Sequence, residues 1–358
     1  MFPNPWGFFY SNTISNGSCH SSVPISVRPS EANGMDCVPV TFMQAVLRNF
    51  YDGINSRVKG LPGIWGKVGQ NFVKKSGVLE LTFAPCDLAE KDWRLHYHLD
   101  DFEHIKTRTL SREVVKEMAR SVKYIHCSMS EYSIQRALDE LWNSIAPNDV
   151  DQLQLLVALD APEKALDLTD MYSYFESSFN IDFYSKYSAF LRSFTSVIFE
   201  NIDQEPFQRL AKDMIATGRM WWIDIWDQVP EHMPASLWLD YFFSNSCKAL
   251  EASFDDRSVV REAIDRWKSM DPRTLCASSR KVLCGRNVDA LAGVDMKKID
   301  VEAEATLFEK IKRLERVVRP IVSLHRIDHP VDPGSSIYIV TLERRSYASS
   351  DDCVLVFE

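Results

Sequence analysis

"MWWIDIWD", residues 220–227, is the stretch on which the fold turns. Trp221, Ile223 and Ile225 alternate with Trp222, Asp224 and Trp226, a period of two that belongs to a β-strand and not to a helix. The first three residues are expected to point inward. The other three then occupy the opposite face, where an acid and two indoles stand close together.

Similar short runs surround this one. "VKYIHCS" (122–128), "LQLLVALD" (153–160), "FNIDFYS" (179–185), "TSVIFENI" (195–202), "KALEASF" (248–254) and "RTLCASS" (273–279) each read as a strand, and most precede a helical stretch. Taking Ile125, Leu155, Ile181, Phe199, Ile223, Leu250 and Leu275 as equivalent, the intervals are 30, 26, 18, 24, 27 and 25 residues. A strand plus a return segment every 20 to 29 residues or so marks leucine-rich-repeat-like solenoids. The expected fold class is therefore α/β: parallel strands stacked into a curved sheet with helices behind, over residues 121–358.

The intervening helices are marked by apolar faces at helical spacing. Residues 131–146 align Ile134, Leu138, Leu141 and Ile145; residues 204–218 align Phe207, Leu210, Met214 and Ile215 and stop at Gly218; residues 255–271 align Val260, Ile264 and Trp267, with Asp255 and Asp256 as caps. "YSAFLRSF" (187–194) is a short helix, and "EAEATLFEKIKRLERVVRP" (302–320) a charged one. "SSIYIVTLE" (335–343) and "DDCVLVFE" (351–358) are expected to pair as a terminal β cap, since an open stack of strands needs its end covered.

Upstream, residues 1–34 are rich in Ser, Asn, Pro and Gly and read as a disordered leader. Residues 35–75 open with a helix capped by Asp36, in which Phe42, Met43, Val46, Leu47 and Phe50 share a face and Pro39 sits in the first turn. "GLPGIWGKVGQ" (60–70) reads as loop, because it fits neither GxxxxGK[ST] nor GxGxxG. Residues 76–120 form a linking region: a hairpin of "GVLELTFAP" (77–85) and "WRLHYHLDDF" (93–102), then a helix capped by Ser111.

The 358 residues are 45% hydrophobic and 25% charged, a globular composition. Their formal charge of -9 argues against nucleic acid. No apolar run approaches the length of a membrane span and no secretory signal opens the chain, so an intracellular protein, cytoplasmic or nuclear, is expected. Eight cysteines, at 19, 37, 86, 127, 247, 276, 284 and 353, form no CxxC pair and are expected to be reduced.

Candidate chemistry is sparse. His96, His98 and Asp100 in "HYHLDD" have the start of a metal motif, but Asp101 stands where a further histidine is required. Pairing His126 with Cys127, or a serine with His325 or His329, needs geometry that spacing does not supply. No cofactor or resident metal is expected. Extending the register of 220–227 places Tyr124, His126, Tyr184, Glu200, Trp222, Asp224, Trp226 and Glu251 on one concave face. Aromatic anchors in an acidic surface suit a protein target, with a basic partner favoured.

From Met35 onward the chain resembles the nematode family of F-box-like proteins with F-box-associated, FTH-type repeat regions. "MDCVPVTFMQAVL" is similar to the family's opening MDxVPxxFxxxV, "IWGKVGQNF" follows with its tryptophan, and "RIDHPVDPGSSIYI" is similar to the closing His-Pro and Ile-Tyr segment. The resemblance implies a degenerate F-box-like segment over 35–75, in which Val38, Pro39, Phe42, Val46 and Leu47 dock onto the adaptor subunit of a cullin-type ubiquitin ligase. It implies substrate recruitment without catalysis. Two other readings stand beside it: an interaction-only solenoid acting as decoy, inhibitor or defence factor, and a metal-dependent hydrolase using His96, His98 and Asp100.

Overall fold

The computed structural model describes residues 38–48, 61–85, 93–107, 109–130, 142–145, 149–169, 186–254, 258–275, 281–285, 291, 293–300, 320–343 and 352–358. The chain divides into two compact units, Met1–Val38 and Pro39–Glu358. The leader, the Asp36 cap, the helix of 131–146 up to Leu141, the strand at 179–185, the Asp255-Asp256 caps and the helix of 302–319 lie outside the described residues.

Helix α1 (Val40–Arg48) starts directly after Pro39, whose carbonyl accepts from the amides of Phe42 and Met43 at 3.0 and 3.1 Å. Met43 and Leu47, four apart, are its buried residues. The expected loop after it is instead helix α2, Gly63–Lys75. Val68 and Phe72 of α2 pack with Leu47. A Cβ at Gly66 would lie 2.0 Å from the Leu61 carbonyl oxygen, so this glycine permits a close backbone approach at the entry to the helix. The packed face of α2 outweighs its poor helix propensity.

The larger unit is mixed α/β, built on a sheet of thirteen strands among the described residues. Strands β1 (Gly77–Pro85), β3 (Val122–Met129), β5 (Glu163–Leu168), β6 (Ser196–Phe199), β7 (Trp222–Val229), β8 (Ala249–Phe254) and β9 (Lys281–Gly285) run parallel and adjacent in chain order. Antiparallel strands extend both sides. β2 (Trp93–Asp100) and then β4 (Asn143–Ile145) follow β1. On the other side β9 is followed by β13 (Asp352–Phe357), β12 (Ser336–Leu342), β11 (Ile321–Asp328) and β10 (Lys297–Lys298).

Two strand expectations change. Residues 153–160 belong mostly to helix α4 (Val150–Ala158), capped by Asp149, which accepts from the Gln152 amide at 2.9 Å. Its continuous apolar run suits either structure, and the cap decides it. The strand follows at 163–168 and pairs directly with β6. At 273–279 the chain begins with a 3-10 turn, Pro272–Thr274, and the strand waits until Lys281. Cys127, Leu166, Val197, Ile223, Leu250 and Leu283 actually stand in line, at intervals of 39, 31, 26, 27 and 33. The terminal pair β12–β13 forms as expected, but β13 lies against β9 and two further strands lie outside it.

One sheet face carries the core. Leu79, Leu81, Ile125, Cys127, Leu166, Val197, Ile223, Leu250, Leu283 and Leu355 join it. So do the buried apolar residues of α3 (Arg112–Met118), α4, α5 (Glu205–Ala216), α6 (Ala235–Phe242) and α7 (Ser258–Ser269). Ser111 caps α3, accepting from the Val114 amide at 3.3 Å. Gly218, at φ +66°, ends the turn after α5. The opposite face changes character along the sheet: it is polar over the parallel strands, whereas Leu324, Tyr338, Val340, Leu342, Val354 and Val356 form a second apolar cluster.

Two buried lysines hold helix ends. Lys164 in β5 donates from Nζ to the carbonyls of Leu156 and Leu159, at 3.3 and 3.1 Å, and to Ser193 Oγ at 2.9 Å. Lys281 in β9 donates to the carbonyls of Phe242, at 2.8 Å, Cys247, at 2.9 Å, and Ser244. Each strand thus opens with a cation that satisfies the carbonyls closing an earlier helix, where the dipole is negative. His329 serves α7. Its Nε2 donates to the carbonyls of Trp267 and Met270, both at 3.1 Å, while Nδ1 accepts from the amides of Val331 and Asp332.

Candidate functional site: the polar face of the sheet

Register across the parallel strands brings Tyr124, His126, Trp222, Asp224 and Glu251 onto one face, opposite the core. Glu200 follows β6, and its carbonyl accepts from the Asp227 amide at 2.9 Å. Tyr184 lies outside the described residues. Between β1 and β8 the residues in register on this face include Glu80, Glu163, Asp167, Asp224 and Glu251 but, among the described residues, no lysine or arginine.

The two tryptophans are held in place. The Trp222 indole N–H donates to Glu251 Oε1 at 3.2 Å, and that of Trp226 donates to Asp224 Oδ2 at 3.1 Å. Both rings are half-buried. Asp224 is only 5% exposed, so it is not the open surface acid that alternation implies. It orients Trp226. The pairing of β7 with β8 slips between Asp224 and Gln228, and this bulge lies at Trp226. Just before the strand, Trp221 stacks on Trp222 at 6.0 Å with Lys248 Nζ over its ring at 5.5 Å.

Three residues of the face escape sequence reasoning, two because the hairpin is read there as a separate linking region and one because the strand is read at 153–160. β1 and β2 belong to the same sheet, so Glu80 and His98 extend the face, and Asp167 joins it once β5 is placed at 163–168. Trp142 lies beside His98, with ring centroids 5.5 Å apart. The missing signal was strand order, a non-local property.

Nucleophile geometry is missing from the pair His126 and Cys127. Cys127 is in the core while His126 is on the polar face, and burial together with Asp167 pushes the thiol well above its ordinary range. Cys247 is likewise buried, its thiol pushed up to about 11. His329 is committed to the end of α7. Among the described residues no three His, Cys, Asp or Glu side chains converge as a metal site would, and His96, His98 and Asp100 are all described.

His96 has a different consequence. It is 5% exposed; burial lowers its pKa below the ordinary 6.5, with a hydrogen bond to Ala84 opposing and Arg94 assisting. A depressed folded-state pKa contributes stability that is present above pH 6.5 and is lost as pH falls through the folded value. Urea unfolding is therefore expected to show declining stability below pH 6.5, with His96→Gln flattening the decline. An unchanged slope in that variant would assign the effect elsewhere.

Comparison of the chain with protein-family models, with curated proteins and with solved structures finds no match. The class defined by the structure is a mixed α/β protein with a large, mostly parallel central sheet. No helix among the described residues is long and apolar enough to cross a membrane.

Proposed function

We propose that the chain is a non-catalytic protein-recognition module, a leucine-rich-repeat-like solenoid whose polar sheet face receives a protein target. One observation carries this reading: Trp222 and Trp226 are fixed by carboxylates on the face opposite the helices. Aromatics oriented before binding lose little freedom on association, which suits them as anchors. The resemblance to F-box-like proteins adds an adaptor function for the α1–α2 pair. There Phe42 is 56% and Val40 44% exposed, Pro39 is exposed and Val46 half-buried, whereas Leu47 is buried against Phe72.

Native affinity purification tests both parts. The pair Trp222→Ala and Trp226→Ala is expected to cut recovery of a specific target at least tenfold while thermal stability changes little. Loss of stability with binding intact would make the indoles core groups. Phe42→Asp with Val46→Asp is expected to lose the ligase adaptor; Leu47→Asp is unsuitable because it places a charge in the helical interface. If wild type recovers a target but no adaptor, the interaction-only reading replaces the ligase one.

A further inference from the structure

Across four neighbouring strands, β2, β1, β3 and β5, the polar face carries histidine and carboxylate in alternation: His98, Glu80, His126 and Asp167. His98 faces Glu80, and Glu80 faces His126, as direct cross-strand partners; Asp167 lies two register positions further along β5, opposite Ser128. His98 Nδ1 is 3.6 Å from Glu80 Oε2, and His126 Nε2 is 4.0 Å from Asp167 Oδ2. Both gaps exceed hydrogen-bond length, so neither histidine holds the facing carboxylate while its ring is neutral. All four side chains reach solvent, at 22, 42, 35 and 25% exposure in strand order.

Flat rings flank the row. Tyr124 stacks on His126 at 5.9 Å and 11°, and Trp142 lies against His98. The second oxygen of Asp167 is occupied by the amide and hydroxyl of Thr169, at 3.0 and 2.7 Å, which fixes the carboxylate with Oδ2 toward His126. Carboxylates beside half-buried aromatic rings suit a guanidinium, which stacks and accepts no proton itself.

We propose, on the basis of the protein-recognition reading above, that this histidine-carboxylate row docks an arginine side chain of the partner and releases it on acidification. With neutral rings the row has a charge of about -2, and each ring that takes a proton cancels one of those charges; burial holds His126 below the ordinary histidine value, with Asp167 and Glu80 opposing. Among the described residues, the other charged or titratable groups in register around His126 are Tyr124 on its own strand and Glu163 at the start of β5; Lys164 turns to the core face. Around His98 they are Arg94, His96 and Asp100 on β2, while β4 presents Asn143 and Ser144. None restores the lost negative charge.

The test uses the full chain and a fluorescein-labelled acetyl-(Gly-Arg)4-amide peptide, with its lysine counterpart, in polarisation titrations from pH 7.5 to 5.0. Circular dichroism at each pH limits the range to folded protein. Wild type is expected to bind the arginine peptide more tightly than the lysine one and to lose at least tenfold in affinity on acidification. His98→Gln with His126→Gln should reduce that loss to under twofold. Glu80→Gln with Asp167→Asn should weaken binding about tenfold at pH 7.5 without moving the thermal midpoint. A pH-independent wild type, an undiminished loss in the histidine variant, unchanged affinity in the carboxylate variant or equal affinity for the lysine peptide overturns the proposal. No peptide binding alongside capture of a target through Trp222 and Trp226 overturns the row and leaves protein recognition standing; failure of both overturns both.

Discussion

Replacing Lys281 by methionine is expected to lower unfolding stability by about 3 kcal/mol, a large share of what a domain of this size possesses. The methionine matches the lysine stem but leaves the carbonyls of Phe242, Ser244 and Cys247 without their common donor. Each buried carbonyl so stripped costs about 1 to 3 kcal/mol, and relief from burying an ammonium offsets part of the sum. The amine also lies over the Phe242 ring at 5.8 Å, an attraction that an uncharged thioether does not reproduce. Lys164→Met is expected to cost less, about 2 kcal/mol, because it strips two carbonyls and a serine hydroxyl that also donates to Phe190 O at 2.7 Å. Four strand spacings, about 19 Å, separate the two lysines, so the effects should add. Urea midpoints at constant slope would measure this; a neutral Lys281→Met would show that water caps the helix as well as the amine does.

Gly77→Ala should cost about 3 kcal/mol or more by a different route. A Cβ there would lie 2.2 Å from the Asp100 carbonyl oxygen and 2.6 Å from the Phe102 ring. Phe102 is fully buried and the oxygen belongs to the backbone of β2, so neither retreats without opening the β1–β2 pair. The approach is set by Asp101, whose φ of +61° turns the chain sharply and carries Phe102 beneath Gly77. Gly218→Ala is the control. Its Cβ meets nothing within 4 Å, so only its positive φ is penalised, at about 1 kcal/mol. A loss at Gly77 no larger than that at Gly218 would show that the β1–β2 pair yields to the added methyl at little cost.

Local pattern made much of this chain legible. Alternation at 220–227 identified β7 and its inward Ile223 and Ile225, both fully buried. Helical spacing found the buried faces of α5 and α7, and Ser111 was recognisable as a cap. The misreadings have physical causes. Within 153–160 the apolar run Leu155–Leu159 carries no period that separates strand from helix. At 60–70 glycine density suggests a loop, yet Gly66 and Gly69 are buried in α2. Of the target face, the alternating positions were readable, but the burial of Asp224 was not. That burial follows from neighbouring strands and the Trp226 indole.

By itself the sequence determined which residues of β7 share a face and where α3, α5 and α7 lie, since these depend on groups a few residues apart. Only the tertiary structure decided which strands are neighbours. It put β13 beside β9, joined the β1–β2 hairpin to the parallel strands, and so aligned His98, Glu80, His126 and Asp167. It also turned Lys164 and Lys281 inward, against the usual preference of lysine for water. The reason in each case is non-local: a charge is buried when carbonyls at a distant helix end require it, and a surface is assembled from side chains that meet only through strand order.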